Sequence, residues 1–408
     1  MPDFLPFRPW LPINFSQSCI SIGNYSQKKI EEVRKAFPAS FLNVVFPEGT
    51  SKAKPDWFKS RQLWEQFCQE GLYYQYGPSC FLYYAQQLEE TLCEGLIGLA
   101  SVIDFLNLKI KKHEDTLRQK EKLLKNYLDI LNIHAEPVYL LFDDDTEWDN
   151  YIKLARDSAI MAHFEDELGR KHWLGILPQP EIIRNFQQYY QKKESFYIAD
   201  GHHRCAASAI YGKENKFQNG SQYFLAALMP INQAELDSFS RIILSYKEAP
   251  EVSEILGKIN VHFQVEAFNS ENWRHNPKSY AQICLNGQWW HLTPRNSPEK
   301  LFGLMGQVPA FVLNELILKP IFEISDLRND KRLNYIGGKP NFEKLAMETL
   351  DGRAIMALTM NPVTFSAFKE ILNSFLTMPP KSTWFLPKFL TGLTIFEYAS
   401  SLSDDALK

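Results

Sequence analysis

The stretch that most constrains this chain is Phe196–Ser208, which reads Phe-Tyr-Ile-Ala-Asp-Gly-His-His-Arg-Cys-Ala-Ala-Ser. Phe196 to Ala199 has the apolar make-up of the end of a buried strand. Asp200-Gly201 punctuates it, and His202 to Tyr211 reads as an alanine-rich helix. A strand that turns through glycine into a helix gathers free backbone N–H groups and the positive end of the helix dipole at one point. Such a point attracts anions, phosphate above all. Arg204 falls in the first helical turn, where its fork of donors suits two phosphate oxygens. His202 and His203 add groups that titrate near neutral pH. The same residues also fit a plain structural turn, with Asp200 as N-cap, Gly201 as turn residue and Arg204 as an ion-pair partner. Adjacent helical histidines point about 100° apart, which suits one shared metal ion badly, so no metal site is assigned.

The rest of the chain sets the context. Its 408 residues suggest about two to three domains, each able to bury a core. Hydrophobic residues make up 45% and charged residues 23%, the balance of an ordinary globular protein. A net charge of -4 argues against a nucleic-acid-coated protein. The cysteines Cys19, Cys68, Cys80, Cys93, Cys205 and Cys284 are scattered without metal or redox spacing and read as reduced thiols. The first ten residues are broken by prolines, unlike a signal peptide, and no apolar run is long enough to span a bilayer. The expected compartment is the cytoplasm, with no membrane partner; the oligomeric state is not readable.

Taken in order, Ser40 to Phe46 reads as a strand, Trp57 to Gln69 as a helix, Pro78 to Ala85 and Gly95 to Phe105 as strands. Lys111 opens a long helical pattern whose buried stripe is Leu117, Leu124, Leu128 and Leu131. Its exposed face is basic, which by default is a solvated face. His113 and Glu114 pair an imidazole with a carboxylate at an element boundary, a usable proton-transfer arrangement, although a surface pair has the same sequence. Pro137 to Phe142 reads as a strand, and Asp143-Asp144-Asp145 after it as a loop or helix-start cluster rather than a Mg²⁺ site. Glu147 to Met161 and Pro180 to Gln191 read as helices, Trp173 to Leu177 and Tyr223 to Met229 as strands.

Beyond about residue 232 the pattern changes. Val252 to Ile259 looks helical, and Asn286-Gly287 between two apolar runs signals a tight hairpin. Phe311 to Leu318 looks helical, and Asp326 to Gly338 reads as a charged loop able to touch an anion. Ala354 to Met360 reads as a strand, with Asn361-Pro362 starting a helix. Met378 to Leu390 is a proline-bounded segment carrying Lys381, Ser382, Thr383 and Lys388. Lys-Ser-Thr also ends a P-loop, but the preceding glycines are missing, so this is no Walker motif. The expected division is 1–232, 233–376 and a returning segment 377–408.

Four motifs then combine: Lys111-Lys-His-Glu-x-Thr116, Asp200-Gly-His-His-Arg204, Asn361-Pro-Val363, and Met378-Pro-Pro-Lys-Ser-Thr383 with Pro387-Lys388. Together they resemble the bacterial family called domain of unknown function 1015, over most of the chain. That family is similar to the ParB/sulfiredoxin-like superfamily, whose free-serine kinases carry a related Asp-Gly-His-x-Arg. The resemblance implies an α/β (α+β) fold: a ParB/sulfiredoxin-like mixed-sheet nucleotide-binding domain followed by a second α+β domain. It implies phosphate contacts for Gly201, His202, His203 and Arg204, with ATP or ADP, or CTP as in ParB, as the nucleotide.

The expected activity is nucleotide-dependent phosphoryl transfer to a small polar metabolite, with free serine or phosphoserine as first choice. Glu114 is the expected base, with His113 orienting it or binding phosphate, and Asp200 orienting a histidine or helping to hold Mg²⁺. Lys381, Ser382, Thr383 and Lys388 complete the expected site. The alternatives are a non-catalytic ParB-like nucleotide-binding regulatory module, or a phosphatase or hydrolase using the same turn. The module is favoured by departures from the family pattern: Ile22 to Ser26 replaces a Pro-Pro-Tyr-Asp-Val stretch, Leu117 stands where relatives tend to have Arg, and His134 where an Asn is usual. DNA binding through the basic helix ranks below these, given the acidic balance.

Overall fold

The computed structural model describes residues 1–21, 25–51, 54–268 and 279–398. Residues Ile22, Gly23 and Asn24 of the N-terminal departure therefore lie outside the described residues. The chain forms two compact units: Met1–Lys112, Thr116–Ala234 and Pro387–Lys408 make the first, His113–Asp115 and Glu235–Leu386 the second. The segment 377–408, expected to be one piece, is thus divided after Leu386, and three residues of the Lys111–Thr116 motif belong to unit 2.

Unit 1 is built on a mixed sheet. Its main path runs Ile110–Lys111, Phe196–Asp200, Val138–Phe142, Tyr223–Pro230, Thr91–Ser101, Phe81–Leu88, Lys171–Leu177, Ile160–Glu165, with Phe4–Leu5 pairing onto Thr91–Ser101. Ile110–Lys111 is parallel to Phe196–Asp200, and Val138–Phe142 is parallel to Tyr223–Pro230; the other pairs are antiparallel. The fold is therefore mixed α/β. The strand that leads to the Gly201 turn lies second from one edge of this path, paired on both sides and buried, as its unbroken apolar run requires. One face of the sheet carries an aromatic core of Phe4, Phe81, Phe142, Phe196 and Phe224 against Trp148, Phe186, Tyr189 and Tyr190 of the Trp148–Ser158 and Pro180–Gln191 helices. From the C-terminal segment, Phe389 packs on Tyr84 and Tyr139 at 5.2 Å each.

Unit 2 is built on an antiparallel sheet in the order Phe263–Phe268, Gln288–Pro294, Ala281–Leu285, Ala354–Met360, Phe239–Leu244, Leu333–Gly337. Ile242, Cys284, Trp289 and Ala357 on one face meet Phe342 and Leu345 of the Phe342–Leu350 helix. The hairpin turns at Asn286 and Gly287, with φ of 47° and 77°, the pair of left-handed residues that the Asn-Gly spacing predicts.

Several local expectations are corrected. Ser40 to Phe46 is not a strand: Leu42–Val45 is a short helix, and Asn43 Nδ2 donates to the Phe37 and Pro38 carbonyls, satisfying a turn where a sheet partner was expected. The strand from Gly95 stops at Ser101, whose Oγ caps the Val102–Leu106 helix by accepting from Asp104 N–H. The helix expected from Lys111 begins only at Arg118. In the loop expected at 326–338, Leu333–Gly337 is a strand held by pairing to Phe239–Leu244. The cap expected at Asn361 lies instead at Thr364, whose side chain accepts from Ala367 N–H, and the helix is Phe365–Asn373.

Candidate functional site

The expected site residues fall into two groups, one on each unit. In unit 1 the Phe196–Asp200 strand ends with a register shift against Val138–Phe142 between Ile198 and Asp200. Gly201 follows at φ +99°, and the His202–Glu214 helix begins, its first intrahelical bond running from Cys205 N–H to Gly201 O at 3.0 Å. Two features here require glycine. The φ is one that an L side chain rarely adopts, and an added Cβ would lie 3.2 Å from the Cζ, Nε and Nη2 atoms of Arg204. The arginine head therefore lies back over the turn.

That placement decides what Arg204 does. Its Nη1 donates to the carbonyls of Glu136 (3.0 Å) and Pro137 (2.5 Å), and its Nη2 meets Asp200 Oδ2 at 3.1 Å and Glu136 Oε1 at 2.8 Å. Two carbonyls and two carboxylates occupy the fork that was expected to grip phosphate, so a phosphate would have to compete for it. Glu136 is itself held by Thr391 Oγ1 at 3.1 Å. Asp200 also meets Lys388, Oδ1 to Nζ, at 3.7 Å. The C-terminal segment thus returns to the turn, through Lys388.

The histidines differ. His202 is buried at the first helical position. Leu117 N–H donates to His203 Nε2 at 3.1 Å, which ties the start of the Arg118–Leu131 helix to the turn and requires an unprotonated Nε2. Beside Arg204 lies a cavity of about 210 Å³ whose walls include Trp57, Leu124, Tyr127 and Ala207, with Glu136, Ser208 and Thr391 at its polar side. His134 also lines it; burial, and after it the Arg204 charge, pushes its pKa down to about 3.

In unit 2, His113 is fully buried, its Nε2 lies 2.8 Å from Thr383 Oγ1, and its ring packs on Phe368 and Phe385. Its carbonyl accepts from Met378 N–H at 2.8 Å, and Glu114 bridges to Met378 as a parallel pair. The Lys111–Thr116 motif therefore meets the Met378–Thr383 motif here. Ser382 Oγ donates to Pro379 O at 2.7 Å, so Ser382 and Thr383 both serve local contacts. Lys381 is exposed at φ +59°, with Nζ 4.9 Å above the Phe239 ring. Glu114 is half-buried. Among the described residues no group of three or more His, Cys, Asp or Glu could hold a metal ion, and no helix is long and apolar enough to cross a membrane.

Sequence reading missed Glu136 and Thr391. Thr391-Gly392 carried a faint signal, since Gly392 takes φ +81° and its N–H donates to Ala135 O, but nothing in the local pattern named its partner.

Fold and turn together define a mixed α/β protein with a strand–glycine–helix turn flanked by two cations. The chain belongs to the family described as "Protein of unknown function (DUF1015)", which matches residues 18–316. No curated protein matches it. Among solved structures it is similar to a conserved hypothetical protein from Pyrococcus furiosus, at 13% identity over 72% of this chain and 93% of that one, TM-score 0.35. It is also similar to SbnI with C-terminal truncation from Staphylococcus aureus (9% identity, 71% and 82% covered, TM-score 0.39) and to a free serine kinase in complex with AMP (12% identity, 72% and 90% covered, TM-score 0.36).

Proposed function

We propose that unit 1 binds a nucleotide through its phosphates at the Gly201 turn, and that the protein transfers a phosphoryl group to a small polar metabolite, with free serine the first acceptor to try. The observation that carries this reading is Gly201 at φ +99° opening a helix whose first turn has no acid. The helix start supplies N–H donors, and Lys388 and Arg204 bracket Asp200 beside it. The roles of the two cations are divided. Arg204 holds the turn to Glu136 and Pro137, and Lys388, 3.7 Å from Asp200 where Arg204 is 3.1 Å from it, is the group assigned to phosphate.

Transfer moves the terminal phosphoryl group to a substrate hydroxyl, whose proton passes to a base, and the nucleoside diphosphate leaves. Glu114, the base expected from the sequence, lies on unit 2, where the His113–Thr383 bond positions the backbone that carries it. Nucleotide phosphates would bring Mg²⁺ with them as a shared companion rather than to a protein-built cage.

A second reading, a nucleotide-binding module without turnover, is favoured by one set of contacts. His113, Ser382 and Thr383 are engaged within unit 2. Thermal-shift titrations with ATP, ADP and CTP, with and without Mg²⁺, test the binding that both readings need: a rise in Tm that grows with nucleotide and is lost in Lys388→Ala supports it. No shift with any nucleotide overturns both. Labelled ATP with L-serine then separates them: transfer of label to serine supports the first reading, and binding without transfer the second.

A further inference from the structure

The cavity beside Arg204 is not used by the phosphate turn. All of its walls belong to unit 1, and it is open to solvent rather than sealed. Trp57, Leu124 and Tyr127 on its walls are half-buried, and the Glu136 side chain at its polar side is 36% exposed. Trp57 opens the Trp57–Gln69 helix, Tyr127 lies on the Arg118–Leu131 helix, and their rings meet edge to face at 5.2 Å. An apolar cavity of about 150 Å³ accepts a benzene ring, so about 210 Å³ leaves room for two fused rings. The charges around it cancel. Glu136 pairs with Arg204 at 2.8 Å, and Asp200 meets Arg204 at 3.1 Å and Lys388 at 3.7 Å. On the flanking helices Lys125 is paired with Asp129 and Glu214, and Arg61 with Glu65 and Glu397. His134 is neutral and tied to Tyr398 Oη at 2.6 Å. Hydrogen-bonding capacity is nevertheless left over at the polar side. Thr391 Oγ1 and Ser208 Oγ spend their protons on Glu136 Oε2 and Arg204 O, at 3.1 and 2.8 Å, so what they still offer is lone pairs. The Tyr127 hydroxyl has no hydrogen-bond partner among the described residues. Burial, and after it the Glu136 charge, pushes its pKa up, which places the hydroxyl toward the polar side.

We propose that this cavity takes a purine ring, held against the Trp57 and Tyr127 rings with its heteroatom edge toward Tyr127 Oη, Ser208 and Thr391. A wall rich in acceptors with one hydroxyl donor asks for a ring edge that sets an N–H donor beside an acceptor nitrogen, as adenine does with its N6 amine and N7. The ring is neutral, as the balanced charges require. Arg204 is both a wall of the cavity and the head that lies over Gly201, so a ring seated here stands beside the turn assigned to phosphate. Taken as the base of a nucleotide, the ring rests on the nucleotide reading above and narrows it to purine over pyrimidine nucleotides. A free purine uses the same walls without the turn.

The test is a thermal-shift titration of the full chain with adenosine, cytidine, ADP and inorganic triphosphate, for the parent, Trp57→Ala, Tyr127→Phe and Lys388→Ala. Adenosine is expected to raise Tm in the parent and equally in Lys388→Ala, and to bind about 10-fold tighter than the smaller ring of cytidine. Trp57→Ala should weaken adenosine by about 5- to 150-fold, the loss of one base–aromatic stack. Tyr127→Phe should weaken it by about 2- to 12-fold, the loss of one neutral hydrogen bond. Adenosine that shifts nothing in the parent, that binds no better than cytidine, or that is unaffected by both wall variants overturns the proposal. Should Trp57→Ala lack a cooperative transition, Tyr127→Phe, which removes a single oxygen, carries the test: a weakened adenosine response supports the pocket and an unchanged one overturns it. Triphosphate reads the turn separately. A triphosphate response without an adenosine response overturns the pocket and leaves the turn standing. An adenosine response with no gain for ADP and none for triphosphate supports the pocket as a site for a free purine, while the nucleotide reading fails.

Discussion

Replacing Gly201 by alanine tests the turn on which the unit 1 site is built. The left-handed φ of +99° is the first penalty, about 1–2 kcal/mol for a residue with a Cβ. The second follows from the Cβ contact at 3.2 Å to three atoms of the Arg204 head. That head cannot retreat freely, because carbonyls at 3.0 and 2.5 Å and carboxylates at 3.1 and 2.8 Å hold it. Loss of one such charged hydrogen bond costs about 1.5–3 kcal/mol. The two penalties together give roughly 3 kcal/mol, or a fall in Tm of about 6–12 °C for a unit of this size. Gly257→Ala is the control: it lies inside the Val252–Asn260 helix with nothing within 4 Å of its added Cβ. There alanine should be neutral or stabilising by up to about 1 kcal/mol. Urea and thermal unfolding of both variants give the answer. A Gly201→Ala protein within about 0.5 kcal/mol of the parent would refute the account of the turn, since that is the scatter of an ordinary surface change.

Three further outcomes follow from the same contacts. Burial pushes His134 down to about 3, with Arg204 adding to it, and burial pushes His172 down to about 4 against the opposing pull of Asp166. Both are neutral when folded and take up protons near pH 6.5 when unfolded, so stability is complete above about pH 6.5 and falls toward pH 4, by up to about 1.4 kcal/mol per pH unit per histidine. Urea midpoints across that window should slope accordingly and flatten in His134→Gln; a level profile in the parent contradicts the burial. Thr383→Val strands the His113 ring nitrogen in the core and should destabilise by about 1–3 kcal/mol, with Thr383→Ser restoring most of it; equal loss in both would show that packing, not the hydrogen bond, matters. Burial pushes the Cys68 and Cys80 thiols up to about 12 and Cys205 higher still, so these three should resist thiol reagents in the folded protein and react on unfolding, and rapid modification of any of them in the native state would oppose this.

What could be read in the sequence follows how local each signal is. The Trp57–Gln69 helix, the Asn286-Gly287 hairpin and the passage from Phe196–Asp200 through Gly201 into a helix all depend on neighbours in the chain, and all are found. Apolar runs without a local partner were ambiguous, so Leu42–Val45 turned out helical, and the Leu117 stripe did not reveal that His113–Asp115 joins unit 2. The motif at 200–204 fits two meanings in sequence, a phosphate turn and a structural ion pair, and the structure shows the second. Asp200 stands four residues before Arg204, the spacing of a helical ion pair, and the pair forms at 3.1 Å. The same glycine that would admit a phosphate to the backbone also lets the arginine lie across the turn, onto carbonyls 67 and 68 residues away that no local pattern could name. Lys388 reaches the turn from near the other end of the described chain. It is therefore the long-range partner, rather than the arginine inside the motif, on which phosphate recognition at this turn is expected to depend.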